Sequence, residues 1–167
     1  MSQSSVSDYE YGVRLVRPYL HLDGSVPREP DRELDEGIRI LESCLGDEIW
    51  EVNWLLGKAY EARGSYVDSA RQFSQAFQIE PNHASVVHEL IIALLRINED
   101  RKAHLIASHY ASRNDPLLTF DLVLSKSKIP EECGRAIELL DGFSWPEEFK
   151  GRVASLRQKL APEAAGQ

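Results

Sequence analysis

Apolar residues recur three and four positions apart along most of this chain, with polar residues filling the gaps, and most such stretches end at or near a glycine or a proline. In REPDRELDEGIRILESCLG, Ile38, Leu41 and Leu45 fall at helical spacing between an acidic start and Gly46. EIWEVNWLLGKAYEARG places Val52, Leu56, Ala59 and Tyr60 on one face and stops at Gly64. Ser65 then reads as the N-cap of a helix ending at Glu80 before Pro81, with Asp68 in the capping-box position. Asn82 is placed to cap the next helix, which carries Val86, Leu90, Ala93, Leu94 and Ile97. Further helices are predicted at about 100–113, 116–127 and 131–141. The last begins in SWPEEFKGRVASLRQKL, with Ser144 as N-cap, Pro146 in the first turn and Glu147 at the box position. At the other end, SDYEYGVRLVRPYLHL reads as one helix that Pro18 kinks or ends, followed by a loop, DGSVPREPD. No alternating run bounded by hairpin turns interrupts the series, so the expected fold class is all-α.

The helices also compare with one another. Small residues suited to a close helix crossing fall at Gly37, Ser69, Ala103 and Ala136, separated by 32, 34 and 33 residues. Four positions after each lies an apolar residue: Leu41, Phe73, Ala107 and Leu140. A period near 34, each unit a pair of helices, is the pattern of a stacked α-hairpin array, in which no hairpin buries its apolar face alone. One domain is expected over residues 1–160: an N-terminal helix and loop (1–30), repeats (31–142) and a capping helix (144–160), with a flexible tail at 161–167.

WLLGKAYEARGSYVDSARQFSQAFQIEP resembles the tetratricopeptide repeat (TPR). With Trp50 as repeat position one, Leu56, Gly57, Tyr60, Gly64, Phe73, Ala76 and Pro81 match that family's pattern. Ser69 replaces its small Ala, and Asn53 stands where the pattern has Trp. The next unit, about 84–115, keeps Leu90 and Ala103 but has Ile91 for the first Gly, Leu94 for Tyr and Asn98 for the turn Gly. Ala107 and Tyr110 there reverse the large-then-small order of Phe73 and Ala76, a swap that conserves volume. A shortened third unit spans about 116–142. The glycine inside WLLGKAY costs about 1 kcal/mol of helix propensity relative to Ala, which a close crossing opposite Phe73 and Ala76 would offset.

The resemblance implies a protein-binding scaffold whose first helices line a concave groove. Transferred to this chain, the groove positions are Glu51, Trp54, Leu55, Lys58 and Glu61, then Ser85, His88, Glu89, Ile92 and Arg96. Trp54 is either an anchor in that groove or a core residue standing in for Asn53. Members that grip a C-terminal carboxylate use Lys and Asn at set groove positions. Trp54, Lys58, His88, Glu89 and Ile92 occupy those positions here, and Glu89 would repel a carboxylate.

Charge and chemistry narrow the function further. A net charge of −8 argues against general nucleic-acid binding. Arg28–Glu51 holds nine acids against three bases, so Glu33, Asp35 and Glu36 form a candidate acidic patch for a basic partner, or else a solvated helix face. No secretory signal and no apolar run of membrane-spanning length occurs, and Cys44 and Cys133 are isolated, so a reducing cytoplasm is expected. His83 with His88, and His104 with His109, are five apart and do not share a face as an i, i+4 zinc pair would; His21 stands alone. No catalytic, P-loop or dinucleotide motif is present, so neither enzyme, metal nor cofactor is called for. The expected function is a small cytoplasmic adaptor or chaperone binding a peptide or protein, with no nucleic acid and no membrane. An immunity-type inhibitor using its acidic surface is the alternative, and an enzyme with an unrecognised site around His88 and Glu89 is a remoter one. Self-association stays open, since end repeats leave apolar surface to cap or share.

Overall fold

The computed structural model describes residues 3–20, 27–46, 49–111 and 115–164. They form nine α-helices: α1 Gln3–Val16, α2 Arg32–Ser43, α3 Trp50–Ala62, α4 Tyr66–Ile79, α5 Ala84–Arg96, α6 Asp100–Tyr110, α7 Pro116–Ser127, α8 Cys133–Gly142 and α9 Glu147–Ala164. Short 3-10 turns at Arg17–Tyr19 and Pro130–Glu132 precede the second and eighth. No strand occurs among the described residues. Where one domain was expected, the chain divides into two compact units, Met1–Val86 and Val87–Gln167, with the boundary inside α5. Helices consecutive in sequence pack as antiparallel pairs, α1 with α2 and α3 with α4 in the first unit. In the second, α6, α7, α8 and α9 pack in chain order.

The small residues of the period sit where the pattern placed them, on α2, α4, α6 and α8. Gly37, Ser69, Ala103 and Ala136 are all buried, as are the partners four residues on, Leu41, Phe73, Ala107 and Leu140. At the α3/α4 crossing a Cβ on Gly57 would lie 2.6 Å from Cε1 of Phe73, so only a glycine admits that ring. One period on, Ile91 stands in Gly57's place and Ala107 in Phe73's, both fully buried. This corrects the expected Ala107/Tyr110 exchange: Tyr110 is only half-buried, its ring against His109, and fills no core position.

The turns repeat as well. Ser65 N donates to Tyr60 O at 2.8 Å and Gly64 N to Glu61 O at 2.9 Å, a Schellman close with Gly64 at φ +82°. After α5, Glu99 N donates to Leu94 O and Asn98 N to Leu95 O, with Asn98 at φ 60°. Asn is the non-glycine residue that best tolerates this left-handed conformation, which explains the substitution. The expected capping box at Ser65 does not form: its Oγ accepts from Arg63 Nε at 3.2 Å, and Asp68 pairs with Arg71. α9 begins after Pro146, leaving Ser144 outside it, and continues to Ala164 into the segment expected as a tail.

The N-terminal segment is a hairpin too. Val16 and Tyr19 join Leu34, Ile38 and Leu41 in the core that also holds Val52, Leu56 and Tyr60. A Cβ on Gly37 would meet Val16 Cγ1 at 2.7 Å, and one on Gly12 would meet Leu41 at 3.0 Å, so α1 and α2 cross on facing glycines. Pro18 ends α1 in a 3-10 turn. The Tyr19 hydroxyl donates to Asp31 Oδ1 at 2.5 Å, and the same carboxylate caps α2 through the N–H groups of Glu33 and Leu34. Burial and that bond push the Tyr19 phenol up to about 12. The Tyr60 phenol, buried and donating to Glu42, is likewise raised to about 12. In the second unit Phe120, Val123, Ala136 and Leu140 pack with Leu156 and Leu160 of α9. Trp145 leads into that helix, its indole donating to Leu140 O at 2.7 Å and its ring between Phe120 and Phe149.

Candidate functional site

The positions read as groove-lining separate by burial. On α3, Glu51 is exposed, Trp54, Lys58 and Glu61 are half-buried, and Leu55 is 8% exposed inside the first-unit core. Leu55 is thus a core residue rather than a groove residue, because it shares a face with Val52, Leu56 and Ala59. Trp54 packs its ring against that core from the edge, and its indole N–H is buried with no acceptor among the described residues. Asn53, at the family's Trp position, is buried and spends its side-chain N–H on Ile49 O, the carbonyl one turn back. Lys58 Nζ and Glu61 Oε2 pair at 3.1 Å with side chains only 13% and 20% exposed, so this pair is better shielded than an ordinary surface bridge. Trp50 stacks on His83 at 4.6 Å.

On α5, Ser85 and Arg96 are exposed and His88, Glu89 and Ile92 half-buried. His88 carries the distinctive chemistry: its Nδ1 lies 2.8 Å from Oδ2 of Asp121 on α7. The Asp121 side chain is fully buried and its other oxygen, Oδ1, has no partner among the described residues. Burial raises the Asp121 carboxyl, and the imidazole beside it offsets part of that. Burial works to lower His88, but the Asp121 carboxylate outweighs it and the net shift is upward. Arg152 on α9 acts on both groups through space. The contact fixes one ring nitrogen, Nδ1, against the buried carboxylate. The sequence reading named His88 and missed Asp121 and Arg152. Carrying the repeat forward would have found both, since 88, 121 and 152 lie 33 and 31 apart on α5, α7 and α9.

The other histidines go to structural contacts. His104 Nδ1 is 3.3 Å from Ser125 Oγ, and His109 stacks edge-on against Tyr110. His21 lies outside the described residues, among which no cluster of metal-ligating side chains occurs. The acidic patch is internally matched: Glu33 pairs with Arg28, Asp35 with Arg63 and Glu36 with Arg39. Asp47 and Glu48, two of the acids counted in that stretch, lie outside the described residues. Neither cysteine is in a disulfide; Cys133 is buried and Cys44 half-buried. No helix is long and apolar enough to cross a membrane.

No family model and no curated protein matches the sequence. Solved structures do. A crystal structure of a candidate kinesin light chain from Podosopora anserina with nearly identical TPR-like repeats superposes with a TM-score of 0.57 at 17% identity, covering 95% of this chain and 78% of that one. A point variant of the same protein gives a TM-score of 0.58 at the same identity and coverage. At that identity the likeness speaks for architecture: this chain has an all-α, TPR-like fold of paired helices, a fold generally used for protein–protein interaction.

Proposed function

We propose that this chain is a non-enzymatic protein-interaction module, a small cytoplasmic adaptor or chaperone that receives a partner segment on the exposed faces of its first helices. On α3 the contact residues are Glu51, Trp54, Lys58 and Glu61; Ser85, His88, Glu89, Ile92 and Arg96 on α5 are candidate contacts considered by themselves. The observation that carries the reading is Trp54. It offers an apolar ring at the edge of the core, and its indole N–H is desolvated yet donates to nothing among the described residues. A buried donor without an acceptor costs about 1–3 kcal/mol, which a partner carbonyl would relieve once a shift of the ring uncovers the N–H, and Trp is enriched among residues that dominate binding energy. The shielded Lys58–Glu61 pair beside it supplies both signs of charge.

The test uses affinity capture from the native cell, followed by measurement of the captured partner with purified protein. Trp54→Phe keeps most of the ring packing and removes the donor. It is expected to weaken binding about tenfold or more while stability moves by about 1 kcal/mol. Glu51→Lys, on an exposed side chain, is expected to change affinity with no effect on folding. A partner bound equally by both variants refutes this assignment of the face.

A further inference from the structure

Between α7 and α9 the second unit holds an open groove of about 360 Å³. Its floor is apolar: Phe120 and Leu156 are buried there, and Leu124 is half-buried. The α9 side is kept low by Gly151 and Ser155, and the space where a Gly151 side chain would stand is empty to 4 Å. Two exposed cations flank the floor, Arg152 and Lys159. They are seven residues apart on one helix, which spaces them by about 10 Å along its axis.

These two cations differ from their neighbours. Lys150 and Arg157, on the same helix, are paired with Glu147 and Asp141. Among the described residues neither Arg152 nor Lys159 has a carboxylate within ion-pair distance. Arg152 instead lies over the Phe120 ring, 4.4 Å from its centroid, and 5.4 Å from that of Phe149, which places the guanidinium at the groove's lip with no hydrogen-bond acceptor among the described residues. Asp121 acts on it through space but forms no hydrogen bond with it. In a chain of net charge −8, an apolar slot flanked by two cations that pair with no carboxylate among the described residues is a local inversion of sign.

We propose that this groove binds an acidic amphipathic segment of a partner protein, with an apolar side chain seated against Phe120 and Leu156 and separate carboxylates on Arg152 and Lys159. The spacing selects a polypeptide over a small amphiphile. A single anionic head group engages one cation, whereas carboxylates two helical turns apart, or about three residues apart on an extended peptide, span both. This rests on the reading of the chain as a protein-binding module but not on the α3 face.

The probe is a short synthetic peptide carrying leucines flanked by glutamates, labelled for fluorescence anisotropy. Versions with glutamine or lysine in place of glutamate, and laurate as competitor, complete the set. The glutamate peptide is expected to bind. Replacement by glutamine weakens it about tenfold or more, as does Arg152→Ala combined with Lys159→Ala, and added salt weakens it further. Gly151→Leu fills the slot at a position with open space and better helix propensity, so it abolishes binding while the melting temperature holds or rises. Trp54→Phe leaves this binding unchanged, so failure of the α3 assignment and failure of this one are separately visible. The proposal is overturned if the glutamate peptide does not bind, if Gly151→Leu binds it like wild type, if the lysine peptide binds as well, or if laurate alone occupies the groove.

Discussion

Gly57 gives the sharpest energetic test of the hairpin geometry. Ala at this position improves helix propensity by about 1 kcal/mol. Its Cβ, however, would lie 2.6 Å from Cε1 and 2.7 Å from Cδ1 of Phe73, where 3.4–4 Å is ordinary contact. The Phe73 ring is 1% exposed and has no free space to retreat into, so the crossing must open. Overpacking of this kind costs about 1–3 kcal/mol, and the net for Gly57→Ala is a loss of about 0–2 kcal/mol rather than the gain that propensity alone gives. Gly57→Ile extends the clash and is expected to cost about 3 kcal/mol or more. One period on, Ile91 and Ala107 hold the positions of Gly57 and Phe73, so there the chain pairs a large residue at the first position with a small one at the second. Adding Phe73→Ala to Gly57→Ile should therefore restore stability, although Phe→Ala in an intact core costs about 3–5 kcal/mol. Urea unfolding followed by circular dichroism measures all four corners of the cycle, and 1 kcal/mol corresponds to about 4–8 °C of melting temperature for a unit of this size. The reasoning fails if Gly57→Ala is stabilised by its full propensity gain, or if the double variant is no more stable than Gly57→Ile.

Two further outcomes follow from the same structure. Asn98→Gly, at φ 60°, should raise the stability of the second unit by up to about 1 kcal/mol, and Asn98→Val should lower it by more; thermal melts of the three proteins decide. Asp121→Asn removes the carboxylate that holds His88 protonated, so the His88 pKa, raised in wild type, should drop below its ordinary value under the burial that remains. Because the raised pKa makes the His88 contribution present below its unfolded value and lost as pH rises through the folded one, wild type should lose stability relative to Asp121→Asn on going from mildly acidic to neutral pH. NMR titration of the imidazole and unfolding at several pH values check both signs.

Much of this fold was readable because its repeat is written in small residues. Gly37, Ser69, Ala103 and Ala136 announce four close crossings, and all four are buried. The α1/α2 hairpin carried the same signal in Gly12 but escaped it, because the long connection between the helices takes it out of the period. Leu55 misled for a different reason. A rule that assigns groove positions by number ignores that α3 is apolar around much of its circumference, with seven buried residues, so a groove position falls in the core. The capping box at Ser65 failed since Arg63 competes for the same hydroxyl, an interaction no spacing rule contains. Asp121 was hidden by its surroundings: in FDLVL, an acid among apolar residues reads as the solvent edge of a helix, and only its His88 partner accounts for its burial.

The facing glycines of α1 and α2 also set a mechanical property. Val16 seats in the notch at Gly37 and Leu41 in the notch at Gly12. To slide one helix along the other by a turn, about 5.4 Å, those side chains must climb out onto residues that have a Cβ. Resistance to shear along the hairpin axis is therefore concentrated at two points instead of being spread over a smooth apolar seam. Pulled from its N-terminus, this hairpin should behave as a brittle latch, holding register up to a threshold and then releasing in one step.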